Sequence, residues 1–182
     1  MNNDIAERLA AIKLLAFDVD GVLTDGGIIL GAEMEELKRF DVKDGAGIAL
    51  AQRAGLIVAL VTGRQSGCVS RRAAELKIKE VHQGVKEKAA MLQSIATRHL
   101  LRPEEILYMG DDIPDLTAFA YAGVSVAPAD AVEEIRSSVM IVTQNPGGHG
   151  AVREICELVL VAQGKWTDVV SGYRNVAQRL EQ

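Results

Sequence analysis

The sequence predicts a three-layer α/β fold built on a mostly parallel central sheet. Short apolar runs of strand length recur along the chain, at residues 13–19 (KLLAFDV), 56–61 (LIVALV), 106–109 (ILYM) and 124–127 (VSVA). Segments with helical periodicity separate them. Strands that alternate with helices join through right-handed crossovers, which makes the sheet mostly parallel and covers both of its faces. The length, 182 residues, suits one domain with a sizeable core, so residues 1–182 read as a single unit.

The elements follow in order. The opening MNNDIAERLAAIK is polar and has no signal-peptide core. Residues 13–19 form a buried strand. Residues 26–40 (GGIILGAEMEELKRF) break the alternation and read as a β-hairpin, with an apolar strand, a turn near 31–33 and a more polar return strand. Good helix formers at 32–39 offer a helical alternative; the hairpin is preferred. Helices are expected at 45–54, 66–76, 86–99, 114–122 and 132–136, and short edge or outer strands at 79–82 and 139–142. The strongest loop signal is NPGGHG at 145–150. A helix over 151–163 follows. The tail, 165–182, holds the only tryptophan, Trp166, and reads as a final helix or an arm. No repeat, low-complexity tract or linker interrupts the chain.

Composition narrows the function. Hydrophobic residues make up 48% and charged residues 25%, ordinary for a soluble globular protein. A net charge of -5 and 4% aromatics argue against a nucleic-acid partner, which needs a basic stripe and stacking platforms. Small basic clusters remain available to an anionic small molecule. Cys68 and Cys156 lie far apart, outside any CxxC, and read as small apolar residues of a reduced protein. No apolar run approaches the length of a membrane span. The expectation is a soluble cytoplasmic protein with no membrane or nucleic-acid partner.

Chemistry concentrates at strand ends. FDVDGVLTD places Asp18 and Asp20 at the carboxyl end of the first strand, the edge where open parallel sheets bind ligands. YMGDDIPD places Asp111, Asp112 and Asp115 after another apolar strand. Carboxylates gathered this way repel one another unless a cation relieves them, and hard oxygen donors suit magnesium. Thr62 and Gly63 of VTGR end the strand at 56–61, where a hydroxyl and backbone N–H groups can hold phosphate oxygens. Lys88 stands in the first turns of a helix as a point charge for an anion. Each residue alone has an ordinary explanation: turn residues for Asp18 and Asp20, a helix cap for Asp112, a solvated lysine for Lys88.

Taken together and in order, DVDGVLT, TGR, the lysine and GDDxxD resemble the haloacid dehalogenase superfamily of phosphohydrolases, whose fold is Rossmann-like. The resemblance implies a magnesium-dependent phosphomonoester hydrolase. It implies Asp18 as the nucleophile that forms an aspartyl-phosphate, and Asp20 as the general acid and base. Thr62 and Lys88 would hold the phosphate. Asp18, Asp111 and the main-chain carbonyl of Asp20 would hold Mg2+, with Asp112 and Asp115 in support. This agrees with the demands of phosphoryl transfer, which needs positioning and charge cancellation above all. Asp20 must carry the proton in the first step, so its surroundings must differ from those of Asp18.

A closer resemblance runs over most of the chain. LGAEMEELKRFDVKDGAGI, the VTGR segment through RRAxEL, the QG before Lys88, and PGGHGAVREICELVLVAQGKW are similar to the family of 3-deoxy-D-manno-octulosonate 8-phosphate phosphatases. That family serves lipopolysaccharide precursor synthesis. The resemblance implies a phosphorylated sugar acid as substrate, no large cap domain, and a homotetramer in which hairpins meet centrally and neighbouring subunits complete each active site. It implies substrate contacts from Asp41, Val42, Lys43, Asp44 and Gly45 (DVKDG, as a substrate loop), and from Arg64, Arg72 and Lys88. Arginine forks suit carboxylate geometry. Two positions depart from the family pattern: Ala49 stands where a basic contact is usual, and His149 stands in PGGHG where arginine is usual. They leave a nine-carbon ulosonate 9-phosphate as an alternative substrate. A non-catalytic homologue is the remaining alternative, and it would lack the carboxylates and lysine present here.

Overall fold

The computed structural model of the chain describes residues 3–33 and 35–180, with residues 174–180 as backbone. The order is α1 (Asn3–Ala11), β1 (Leu14–Phe17), a hairpin of β2 (Ile29–Leu30) and β3 (Glu36–Leu37), α2 (Val42–Arg53), β4 (Ile57–Val61), α3 (Gly67–Glu75), β5 (Glu80–His82) and α4 (Lys88–His99). Then come β6 (Ile106–Met109), α5 (Leu116–Tyr121), β7 (Val124–Ala127), α6 (Glu133–Arg136), β8 (Ile141–Val142), α7 (Ala151–Ala162) and α8 (Trp166–Leu180). Strands β5-β4-β1-β6-β7-β8 form one sheet, parallel at every pairing. The expected α/β sandwich, with hairpin and without a large cap, is the observed one.

Burial on both faces explains the continuous apolar runs. Successive strand side chains point to opposite faces. Leu15 and Phe17 of β1 join a core with Leu9, Ile48, Val152, Ile155 and Val159, under α1, α2 and α7. Leu14 and Ala16 join a second core with Leu92, Ile95, Ala118 and Tyr108, under α4 and α5. The next residue in that alternation, Asp18, projects toward the second face, where α4 begins. Its N–H still follows the ladder, donating to Met109 O at 2.9 Å.

The hairpin takes the antiparallel form, with Ile29 opposite Leu37 and Leu30 opposite Glu36. Gly31 N–H closes the turn on Glu35 O at 2.9 Å. The polar opening holds a helix, α1, that the apolar pattern did not announce; Leu9 anchors it in the core. The DVKDG segment is not a loop. Asp41 caps α2, accepting from Lys43 N–H at 2.6 Å and Asp44 N–H at 3.2 Å, and residues 42–45 are the first helical turn. A 3-10 turn, Ile113–Asp115, precedes α5 because Asp112 caps it and Pro114 suits its start. The tail is the helix α8, which meets α7 where the Arg153 guanidinium lies 5.6 Å from the Trp166 ring centroid; residues 181–182 lie outside the described residues. Among the described residues no helix is long and apolar enough to cross a membrane.

Candidate active site

The sheet order puts the site in place. From β1 the chain adds β4 and β5 on one side, then crosses to add β6, β7 and β8 on the other. The carboxyl ends of β4, β1 and β6 are therefore adjacent at the switch point, where open α/β sheets hold ligands. Thr62, Asp18 and Asp111 follow those three strands. With Asp20, Arg64, Lys88, Asp112 and Asp115 they line one cavity of about 330 Å³.

Asp18 is buried and fixed at both oxygens. Oδ1 accepts from Val19 N–H at 2.6 Å and Oδ2 from Lys88 Nζ at 2.6 Å. Lys88 opens α4 and is only 4% exposed. Its second partner is Asp115 Oδ1 at 2.5 Å. Asp115 is fully committed: Oδ1 also accepts from Tyr108 Oη at 2.6 Å, and Oδ2 accepts from Asp111 N–H at 3.0 Å and Asp112 N–H at 3.3 Å. It shapes the loop that carries Asp111 and anchors Lys88. Asp112 accepts from Ile113 N–H at 2.7 Å and caps the 3-10 turn. Tyr108 is a supporting residue that the sequence reading missed, hidden within an ordinary apolar strand.

Oxygens of Asp18, Asp111 and Asp115 all lie within 4.8 Å of one another. One lysine faces these three carboxylates, so negative charge is in excess. Burial pushes the Asp18 carboxyl up to about 6; Asp115 adds to this and Lys88 opposes it. Burial, followed by Asp18, Asp115 and Asp112, pushes Asp111 up to about 7. Lys88 is held above its usual value, because Asp18 and Asp115 outweigh the burial that would lower it. Among the described residues, nothing donates a hydrogen bond to the Asp111 carboxylate. A hard divalent cation fits this cluster. Asp18 and Asp111 are its available donors; Asp115 is spent on neighbours.

The loop after β1 is shaped for this. Gly21 has φ +81° and a Cβ there would overlap the Asp111 carboxylate, so only glycine serves. Thr24 Oγ1 accepts from Gly26 N–H at 3.2 Å within the same turn. The PGGHG segment braces it from behind: a Cβ on Gly147 would collide with Gly21 O, and Gly148 N–H donates to Val22 O at 2.9 Å. Asp20 lines the same cavity with partners of its own. Lys38 Nζ contacts its Oδ1, and Arg64 Nε lies 3.6 Å from its Oδ2. Lys38 was not among the expected site residues. It sits in a helix-forming stretch whose hairpin geometry brings it down onto Asp20.

The remaining expected substrate contacts are not brought into this cavity. Asp44 is buried beneath α7, where it accepts from Gly150 N–H at 3.2 Å and Arg153 N–H at 2.7 Å. Its carboxylate caps a helix and does not line this cavity. Gly45 packs against Arg72, whose guanidinium donates to Asp41 O at 3.2 Å and Glu75 at 2.9 Å. Asp41 is occupied as the α2 cap. Val42 and Lys43 are exposed. Ala49 lines a separate groove of about 490 Å³ with Trp166 and Val169. His149 bonds Gly147 O through Nδ1 at 2.9 Å and contacts Arg39 through Nε2.

Fold and site define a hydrolase of the haloacid dehalogenase-like class, and the model of that family, described as haloacid dehalogenase-like hydrolase, matches residues 80–155. The chain is 41% identical over 163 residues to the 3-deoxy-D-manno-octulosonate 8-phosphate phosphatase of Yersinia pestis, covering 90% of this chain and 87% of that one. It is 42% identical over 162 residues to the protein of that name from Escherichia coli K12, covering 89% and 86%. The crystal structure of the Moraxella catarrhalis 3-deoxy-D-manno-octulosonate 8-phosphate phosphatase, in complex with magnesium ion, phosphate ion and KDO, superposes with a TM-score of 0.92 at 39% identity, over 95% of this chain and 99% of that one. The chain belongs to the 3-deoxy-D-manno-octulosonate 8-phosphate phosphatase family.

Proposed function

We propose that this chain hydrolyses 3-deoxy-D-manno-octulosonate 8-phosphate to the free sugar acid and phosphate, as a cytoplasmic step in lipopolysaccharide precursor synthesis. The observation that carries the chemistry is Asp18, buried at the switch point with one oxygen 2.6 Å from Lys88 and with Asp20 lining the same cavity. Identity to relatives of that name over nine-tenths of the chain supports the choice of sugar.

In the first step an Asp18 oxygen attacks phosphorus, the ester P–O bond breaks, and Asp20 delivers its proton to the departing alcohol oxygen. In the second, water attacks the aspartyl-phosphate, Asp20 takes the water proton, and phosphate leaves with Asp18 restored. Lys88 and the Thr62 hydroxyl hold the phosphoryl oxygens. Lys88 also fixes Asp18 for attack, so its position serves both ground-state order and charge cancellation. Asp18, Asp111 and the Asp20 main-chain carbonyl would hold magnesium, which would supply positive charge that lets two anions meet. Besides Lys88, Arg64 is the expected substrate contact that lines the cavity within one chain. Exposed Ile28, Ile29, Leu30 and Leu37 on the hairpin support burial against further copies in a homotetramer, and exposed Val42 and Lys43 are free to serve a neighbour's site.

The test is phosphate release from the eight-carbon substrate, with and without magnesium, beside a nine-carbon ulosonate 9-phosphate and unrelated sugar phosphates. Magnesium-dependent turnover with clear preference for the eight-carbon ester is expected. Equal turnover on unrelated sugar phosphates would overturn the substrate assignment.

A further inference from the structure

The carboxylates of this site are oriented by different means. Asp18 is fixed by Val19 N–H and Lys88, and Asp115 by Tyr108, Lys88 and two backbone N–H groups. Asp20 follows β1 by three residues, beyond the ladder that orients Asp18. Among the described residues its carboxylate is met by two cations: Lys38 Nζ on Oδ1 and, more loosely, Arg64 Nε 3.6 Å from Oδ2. Lys38 comes from the residue after β3. Its side chain is 0% exposed, and Nζ also lies 2.9 Å from Glu36 Oε1. Glu36 takes Arg64 on the same oxygen at 3.2 Å. Two cations and two anions thus form one closed group that ties the hairpin to Asp20.

Lys38 is not among the residues that line the cavity; its Nζ faces Asp20, which does, and Glu36. A long flexible side chain buried completely between two carboxylates is held in one geometry. Glu36 matches the surplus cation and keeps Lys38 spread between two anions.

We propose that Lys38 is a positioning residue for proton transfer: from the hairpin it holds the Asp20 carboxyl where the leaving alcohol departs. This rests on the phosphatase reading above, with Asp20 as the proton donor. Proton donation matters in proportion to the basicity of the leaving group. An alkoxide cannot leave unprotonated, whereas an acidic phenolate can. A residue that merely stabilises the fold lowers both rates together.

The experiment measures kcat/KM for small alkyl and aryl phosphates that span leaving-group basicity, with magnesium saturating. This ratio covers only the steps through release of the alcohol, so later hydrolysis of the aspartyl-phosphate does not enter. These small esters avoid any role of Lys38 in sugar recognition. Lys38→Met is expected to lose about 10–100-fold on alkyl esters and less than about threefold on the most acidic aryl ester. Asp20→Asn gives the same pattern more strongly, and the double variant should be no slower than Asp20→Asn alone. Lys38→Arg, which keeps the charge, should fall between Lys38→Met and wild type; it carries the test if Lys38→Met does not fold. Equal losses on alkyl and aryl esters, or a wild-type leaving-group dependence in the variant that folds, would overturn the role of Lys38. A wild-type protein inert on every ester would instead overturn the phosphatase reading.

Discussion

Asp44→Ala separates a helix cap from a substrate contact at a residue where the two readings disagree. Asp44 accepts from two N–H groups at the start of α7, at 3.2 and 2.7 Å, and is 1% exposed. Removing an N-terminal cap costs about 0.5–2 kcal/mol, and leaving buried donors unpaired adds about 1–3 kcal/mol. Against this, burial raises the Asp44 pKa, so the fold accommodates its charge less well than water does. A net loss of about 2–3 kcal/mol follows, or about 5–10 °C in Tm for a chain of this length. Asp44→Asn keeps one acceptor oxygen without the buried charge and should lose less than half as much. Thermal and urea denaturation measure the first quantity. Turnover well below Tm measures the second, and should stay within about threefold of wild type if Asp44 serves as a cap rather than as a substrate contact. An unchanged Tm with turnover reduced about a hundredfold would refute the structural reading of Asp44.

Glu80 gives a pH prediction. It accepts from His82 at 2.7 Å, His99 at 2.8 Å and Arg98 at 2.6 Å. Burial opposes its ionisation, but these three partners outweigh it and hold the carboxyl down at about 2. A depressed carboxyl stabilises the fold above its unfolded value, about 4.5, and loses that contribution as pH falls toward about 2. After allowance for solvent screening the contribution is about 1–2 kcal/mol. Glu80→Gln should therefore be less stable than wild type at pH 6, with the gap narrowed to about half at pH 3 and closing toward pH 2; a gap independent of pH contradicts this. Gly21→Ala places a Cβ into the Asp111 carboxylate. It should raise the magnesium concentration needed for half-maximal rate more than about tenfold, as loss of metal-site geometry does; an unchanged magnesium dependence would contradict the account of that turn.

The sheet was legible because its strands are buried on both faces and read as unbroken apolar runs; 106–109 and 124–127 match β6 and β7 to the residue. The cluster of Asp18, Thr62, Lys88 and Asp111 was legible because parallel topology sends every strand end to one edge. Besides Tyr108, three features were not. The helix α1 is polar with few core contacts, so periodicity hardly marks it. Asp44 lies in a segment rich in charge, and nothing local tells that its partners are the N–H groups of residues 150 and 153. Lys38 belongs to a stretch of good helix formers, and only the cross-strand pairing of residues 29 and 37 turns it toward Asp20. Each of the last two depends on contacts far apart in sequence, which no local pattern encodes.

The central claim is that the Asp18 carboxylate attacks phosphorus. Asp18→Asn keeps the shape and the hydrogen bond from Val19 but removes the charge and the nucleophilic oxygen pair. The decisive measurement is phosphate release from 3-deoxy-D-manno-octulosonate 8-phosphate by the folded variant with magnesium. A fall of at least about a thousandfold, with the cooperative melt retained, is the predicted result. Turnover within about tenfold of wild type would contradict covalent catalysis at Asp18.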